Sequence, residues 1–385
     1  MSNPIGILGY DYVEFYVGSA KTSTYWYIHA LGFELKGYKG PETGHNEICS
    51  YYLVKNKLKI VVTSAIKPEF FEINDFVNRH GDGVKRWSVE VEDVEDAFVK
   101  ATKKVAVPLL HPKRYHDSQG YYDEASIKLY DDLELVFVNH KNYHGIFKPG
   151  YQEPPCWKDP MLEDTGIIEI DHIVGNVREN EMNYWADYLN QSLQFETFLY
   201  FGPGDITTRY SSLLSKVVHT TDDIIKNPIN EPYEGERVSQ IEEFINEFHG
   251  TGVQHIALRT DNILLTIKIL KQRGVEFIDI PDQYYDFLKK SNLKRHKDQQ
   301  VEEDIEDLKG ARILCDLEGE GYLLQTFTKP IGDRPTFFYE IIQRCYGAQG
   351  FGQGNFKALF ESIERDQDKR GALTLKNDQL HLDEQ

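Results

Sequence analysis

The chain has 385 residues, enough for two large domains that each bury a core. A balance of 62 acidic to 43 basic residues gives a formal charge of −19, which argues against a nucleic-acid or anionic-lipid partner, since both are negative, and for a small-molecule one. No apolar run approaches the ~18 residues of a membrane span, and the opening MSNPIGILGYDYVEF lacks the make-up of a secretory signal. Cys49, Cys156, Cys315 and Cys345 are too scattered for a zinc knuckle or a disulfide framework, so a cytosolic protein with reduced thiols is expected.

The first predicted element is the β-rich run DYVEFYV from Asp11, followed by an amphipathic helix over residues 19–31 and the run ALGFEL. His80-Gly81-Asp82-Gly83-Val84 then leads into a second strand, WSVEVED. Residues 148–165 carry four prolines and little periodicity, which places a linker there and divides the chain into domains over 1–150 and 151–385. The plan then recurs. Asp171-His172-Ile173-Val174-Gly175-Asn176-Val177 precedes a helix over 180–190 and the run SLQFET; a helix over 241–249 runs into His249-Gly250-Thr251-Gly252-Val253 and the strand HIALRTD. Helices are also predicted over 262–273 and 356–367. The charged stretch 289–309 reads as a solvated helix or loop, and the tail 370–385 as poorly ordered. The fold class is therefore α+β, built from two homologous halves.

Aligning the halves sets Tyr12 opposite His172 and Arg86 opposite His255, so two histidines appear only in the second half. Glu340, in the apolar run FFYEIIQ, follows His255 at nearly the interval that separates the two histidines. Taken singly, each histidine reads as an ordinary hydrogen-bonded core residue and Glu340 as a partner of Arg344. Taken together, a carboxylate and two imidazoles isolated in three apolar strands call for a common partner, because an uncompensated buried carboxylate costs several kcal/mol. Two His and one carboxylate form the facial ligand set of non-haem Fe(II) oxygenases, and equally a catalytic zinc site.

With these residues in view, the chain resembles the 4-hydroxyphenylpyruvate dioxygenase family of the vicinal oxygen chelate superfamily. The likeness runs through DYVEFYV, IDHIVGNV, PINEP, SQIEEF, GVQHIAL, YLLQTFTKP, DRPTFFYEIIQR and GFGQGNFKALFESIE. It implies paired βαβββ modules curling into an open, barrel-like sheet in each half, with a C-terminal helix over a single, C-terminal active site. It also implies Fe(II) on His172, His255 and Glu340. The organic substrate would be 4-hydroxyphenylpyruvate, which supplies two further metal ligands itself, so that no separate 2-oxoglutarate is needed; the products with O₂ would be homogentisate and CO₂, in tyrosine and phenylalanine catabolism. Gln240, Gln254, Gln325 and Phe356 are expected to serve catalysis, and Ser215, Asn230, Phe327, Phe338 and Phe360 to bind substrate. The glycine-rich GAQGFGQG reads as a hinge for the terminal helix, without the P-loop lysine of a nucleotide site. A homo-oligomer, dimeric or tetrameric, is expected. Two rivals stand beside this reading: a hydroxymandelate synthase-like enzyme, against which Pro228, Asn230 and Phe338 speak, and a non-catalytic binding protein of the same superfamily, against which the full ligand set speaks.

Overall fold

The computed structural model describes residues 3–154, 157, 159 and 163–376 and contains two eight-stranded curled sheets. In the first half, β1 (Ile7–Tyr16) leads through α1 (Ala20–Leu31) into the meander β2 (Glu34–Lys39), β3 (Ile48–Lys55) and β4 (Leu58–Ala65). Beyond α2 (Phe71–His80) the βαβββ unit recurs as β5 (Gly83–Val91), α3 (Val94–Thr102), β6 (Pro108–Asp117), β7 (Gly120–Leu129) and β8 (Leu133–Asn139). The second half follows suit: β9 (Ile167–Asn176), α4 (Met182–Leu193), β10 (Glu196–Phe201), β11 (Ser212–His219) and β12 (Lys226–Tyr233), then α5 (Gln240–Phe248). Its last unit is β13 (Gly252–Thr260), α6 (Ile263–Gln272), α7 (Asp282–Asn292), α8 (Ile305–Ala311), β14 (Leu314–Glu318), β15 (Gly321–Phe327) and β16 (Phe338–Cys345), with α9 (Phe356–Arg370) at the end.

In every unit the first strand pairs parallel with the last, and the two first strands of each half run antiparallel side by side, giving the orders β2-β3-β4-β1-β5-β8-β7-β6 and β10-β11-β12-β9-β13-β16-β15-β14. Period-two alternation then divides the side chains. Val13, Phe15, Ile60 and Val62 join the helices and the second half in one large core, whereas Tyr12, Tyr52, Tyr122 and Val136 face the concave side of the first sheet and form a separate core with Phe147 and Tyr151.

Local signals set the helix ends. In α1, Ala20, Thr24, Tyr27, Ile28 and Leu31 make one buried stripe, and Gly32 ends the helix at φ 74°. Ser239 and Glu242 form a reciprocal capping box that starts α5 at Gln240. The structure corrects three expectations. The charged stretch 289–309 is anchored rather than merely solvated: Asn292, Val301, Ile305 and Leu308 are buried, and the Arg295 guanidinium donates to the carbonyls of Gly319 and Gly321. The start of the tail is ordered, since Val238 N–H donates to the Thr374 carbonyl at 3.1 Å and Arg237 to that of Leu373 at 3.2 Å; residues 377–385 lie outside the described residues. The proline-rich connection begins inside the first half, where the Tyr151 hydroxyl meets Ser50 at 2.7 Å and Tyr38 exchanges backbone bonds with Gln152. Cys156 lies outside the described residues, and Cys49, Cys315 and Cys345 are free thiols.

Candidate metal centre and its cavity

Three neighbouring strands build the centre. On β13, Ala257 is flanked by His172 of β9 on one side and Glu340 of β16 on the other, while His255 stands two residues earlier on the same face. Nε2 of His172 lies 3.3 Å and Nε2 of His255 3.4 Å from Oε2 of Glu340. All three are buried, with exposures of 3%, 9% and 3%.

Two β-bulges aim the imidazoles. The register between β9 and β13 slips between Ile170 and His172, and again between Val253 and His255, so the residue before each histidine escapes strict alternation and turns beside the ring. His172 Nδ1 donates to Asp171 at 2.7 Å, and His255 Nδ1 to Oε1 of Gln254 at 3.0 Å. An acceptor at each Nδ1 places the ring proton there and leaves the Nε2 lone pair for the centre. Asp171 is itself clamped by the Arg344 guanidinium, with bonds of 2.8 and 2.7 Å. Arg344 thus pairs with Asp171, not with Glu340, which removes the reading of Glu340 as a simple salt-bridge residue.

The electrostatics follow from these partners. Burial pushes the His172 pKa down, but the Glu340 and Asp171 carboxylates outweigh it and the group is raised. At His255, where a neutral amide replaces the aspartate, burial prevails and the pKa falls. Burial would lift Glu340 and Asp171; the imidazoles hold Glu340 below its ordinary value, and Arg344 with His172 holds Asp171 far below its own. Two imidazole nitrogens and one carboxylate oxygen, all within 4.8 Å of one another, fit a divalent transition metal with one face of its coordination sphere left for other ligands.

Above the centre lies a cavity roofed by α9. Every residue singled out in the sequence lines it: Ser215, Asn230, Gln240, Gln254, Gln325, Phe327, Phe338, Phe356 and Phe360 surround the three candidate ligands. Phe338 stacks on His255 with centroids 4.9 Å apart, and Phe327 stands edge-on to the same ring at 6.1 Å. Ser215 and Asn230 are cross-strand partners on β11 and β12. Among the described residues, both amide atoms of Gln325 are buried without a hydrogen-bond partner, a costly arrangement that a ligand would relieve. Gly352, at φ 76°, lets the chain pass over that amide, since a Cβ there would lie 2.2 Å from Gln325 Nε2.

Sequence reasoning missed Asp171 and Phe351. Asp171 recurs as Asp11 in the half without histidines, so the repeat made it look merely structural. Phe351, edge-on to His172 at 5.0 Å, carries no mark that separates it from a core aromatic.

The family model described as "Glyoxalase/Bleomycin resistance protein/Dioxygenase superfamily" matches residues 169–313. A 4-hydroxyphenylpyruvate dioxygenase of Yarrowia lipolytica is 42% identical over 375 residues, 95% of this chain and 93% of that protein. Its counterpart in Xenopus tropicalis is 43% identical over 372 residues, 96% of this chain and 93% of that protein. Among solved structures, a triple mutant of 4-hydroxymandelate synthase from Streptomyces coelicolor is similar with a TM-score of 0.81 at 26% identity, over 94% of this chain and 99% of that one.

Proposed function

We propose the following reaction for this chain, which belongs to the 4-hydroxyphenylpyruvate dioxygenase family: 4-hydroxyphenylpyruvate and O₂ are converted to homogentisate and CO₂, with Fe(II) held by His172, His255 and Glu340. One observation carries the reading: two oriented imidazoles and a carboxylate lie at the floor of a mostly apolar, phenylalanine-rich cavity that also holds the Gln325 amide, unpartnered among the described residues. Fe(II) there would supply the one-electron chemistry by which O₂ reacts with a closed-shell organic acid. The rest falls to the chain's own residues.

Ser215, Asn230, Gln240, Gln254 and Gln325 bring hydroxyl and amide groups to the cavity, so a phenol and a keto acid are oriented without further charge beside the centre. Phe327, Phe338, Phe356 and Phe360 hold the ring and keep out water. In this conformation the cavity leaves only ≈ 70 Å³ free, against ~10–15 Å³ for one water, so an aromatic keto acid is admitted by movement of Phe356 and Phe360 with the start of α9. Residues 347–354, with Gly347 and Gly352 at positive φ, are where that movement hinges. The substrate is the 2-oxo acid bearing the tyrosine side chain, which places the reaction in tyrosine and phenylalanine catabolism. No helix among the described residues is long and apolar enough to cross a membrane; a cytoplasmic location and a homo-oligomeric state belong to the same proposal.

Anaerobic loading with Fe(II) or Zn(II), addition of 4-hydroxyphenylpyruvate and admission of O₂ test the proposal. Homogentisate with equimolar CO₂ from the iron form alone is expected. 4-Hydroxymandelate would move the oxidation to the benzylic carbon, and tight binding without product would make this a binding protein.

A further inference from the structure

From a second, smaller cavity we infer that O₂ reaches the centre by its own apolar passage, separate from the route of the aromatic acid; the inference rests on the dioxygenase reading above. The passage lies between α5, the far part of α9 and the loop joining β15 to β16. Phe244, Ile278, Pro330 and Pro335 line its outer part. Phe327, Phe338, Gln240, Gln254 and Ile363 border both this space and the main cavity, so only side chains separate the two. The partition is the Phe327–Phe338 pair that flanks the His255 ring.

Size and polarity select the traveller. The passage leaves ≈ 40 Å³ free, room for a few water-sized bodies and none for a phenyl ring. Glu243, Asp366 and Arg370 also line it, yet most of the wall's exposed area is apolar, which favours a non-polar diatomic over water. The order of events supplies the need, because once the organic acid fills the aromatic chamber, O₂ must arrive from another side.

The passage is also fixed while the chamber's roof moves. Thr328 N–H donates to the Tyr339 carbonyl at 2.8 Å, Tyr339 N–H to Thr328 Oγ1 at 3.0 Å, and Ile278 N–H to the Phe327 carbonyl at 2.9 Å, which set the loop and its facing wall. At the rim, Arg370 bonds Glu243 of α5 at 2.6 Å and Asp366 at 3.0 Å, and Ala372 N–H bonds the Gln367 carbonyl. The end of α9 is thereby pinned, and hinging at 347–354 opens the helix at Phe356 and not here.

Ile278 lines this passage and not the main cavity, so Ile278→Trp tests it, with Ile278→Phe as the milder variant should the first fold poorly. Xenon-pressurised crystals of the wild-type protein are expected to show the gas beside Ile278 and Pro330, and crystals of the variant to lack it. In iron-loaded enzyme, KM for O₂ should rise fivefold or more, while KM for the keto acid and kcat at saturating O₂ stay within twofold. No xenon site, an unchanged KM for O₂ in both folded variants, or a parallel rise in KM for the keto acid would each overturn the passage. Failure of the wild-type enzyme to form homogentisate would instead overturn the dioxygenase reading, whatever xenon does.

Discussion

The two halves share a scaffold and have opposite interiors. Through the strand registers, the positions of His172, His255 and Glu340 fall in the first half on Tyr12, Arg86 and Val136. Arg86 sits between Glu14 at 3.5 Å and Glu134 at 3.2 Å, with Glu72 at 3.7 Å. Phe147 stacks on Tyr52 at 4.2 Å and meets Tyr12 and Tyr151 edge-on. The first half thus plugs its curled sheet with its own chain and an ion-pair network. The second leaves space, orients two imidazoles into it and covers it with a helix. A curled sheet must fill its concave side with something, and the repeat shows one half filling it with side chains and the other keeping a cavity.

Even the shared aspartate has been turned to two uses. Asp171 holds His172 of the candidate centre, whereas Asp11 is occupied by Lys59 and, at 3.1 Å, by His140. Asp11, Glu90 and His140 are close enough together to bind a cation, but the Lys59 ammonium already supplies the positive charge.

The largest effect should come from Glu340→Ala. Loss of the metal and of at least ~10³-fold in kcat/KM, about 4 kcal/mol of transition-state stabilisation, is expected in steady-state assays; full activity would revive a metal-free binding protein. Arg86→Met, at the matching place in the first half, should instead cost about 3–5 kcal/mol of stability by leaving the buried Glu14 without a counter-charge, while Glu134 keeps Lys85 at 3.5 Å. Urea unfolding would show that loss, with kcat per folded molecule unchanged; an activity loss without unfolding would contradict the division of labour. Asp171→Asn should weaken metal binding ~10–100-fold by isothermal titration, and Asp11→Asn should leave it alone. Equal losses would erase the distinction between the two aspartates.

The smallest effect concerns pH. The Asp11 hydrogen bond, working against burial, raises His140 above its ordinary 6.5. A raised imidazole contributes stability that is complete below that ordinary value and is lost as pH climbs through the folded one. The Tm difference between the wild-type protein and His140→Gln should therefore shrink as pH rises from about 6 to 9, and widening would contradict it.

Much of this was readable because the repeat supplied its own control. Tyr12 and Arg86 at the places of His172 and His255 marked the histidines as additions to a scaffold, and the apolar setting of Glu340 marked it as a carboxylate in need of a partner. Helices α1 and α5 were legible from apolar periodicity over 19–31 and 241–249. What escaped was non-local or irregular. Strict alternation turns Asp171 away from His172, and only the bulge brings them together. The end of α7 and most of α8 lie in so charged a stretch that the few buried positions, Asn292, Ile305 and Leu308, were outweighed. Phe201 and Phe351 became cavity walls through tertiary packing, which leaves no periodic mark.

The central claim is that one scaffold, used twice, carries a single metal centre in its second half. Anaerobic Fe(II) titration of the full chain, read as metal bound per chain in the wild-type protein and in His172→Ala/His255→Ala, tests it directly. One equivalent in the wild type and none in the variant are predicted; two equivalents, or one retained without the histidines, would contradict it.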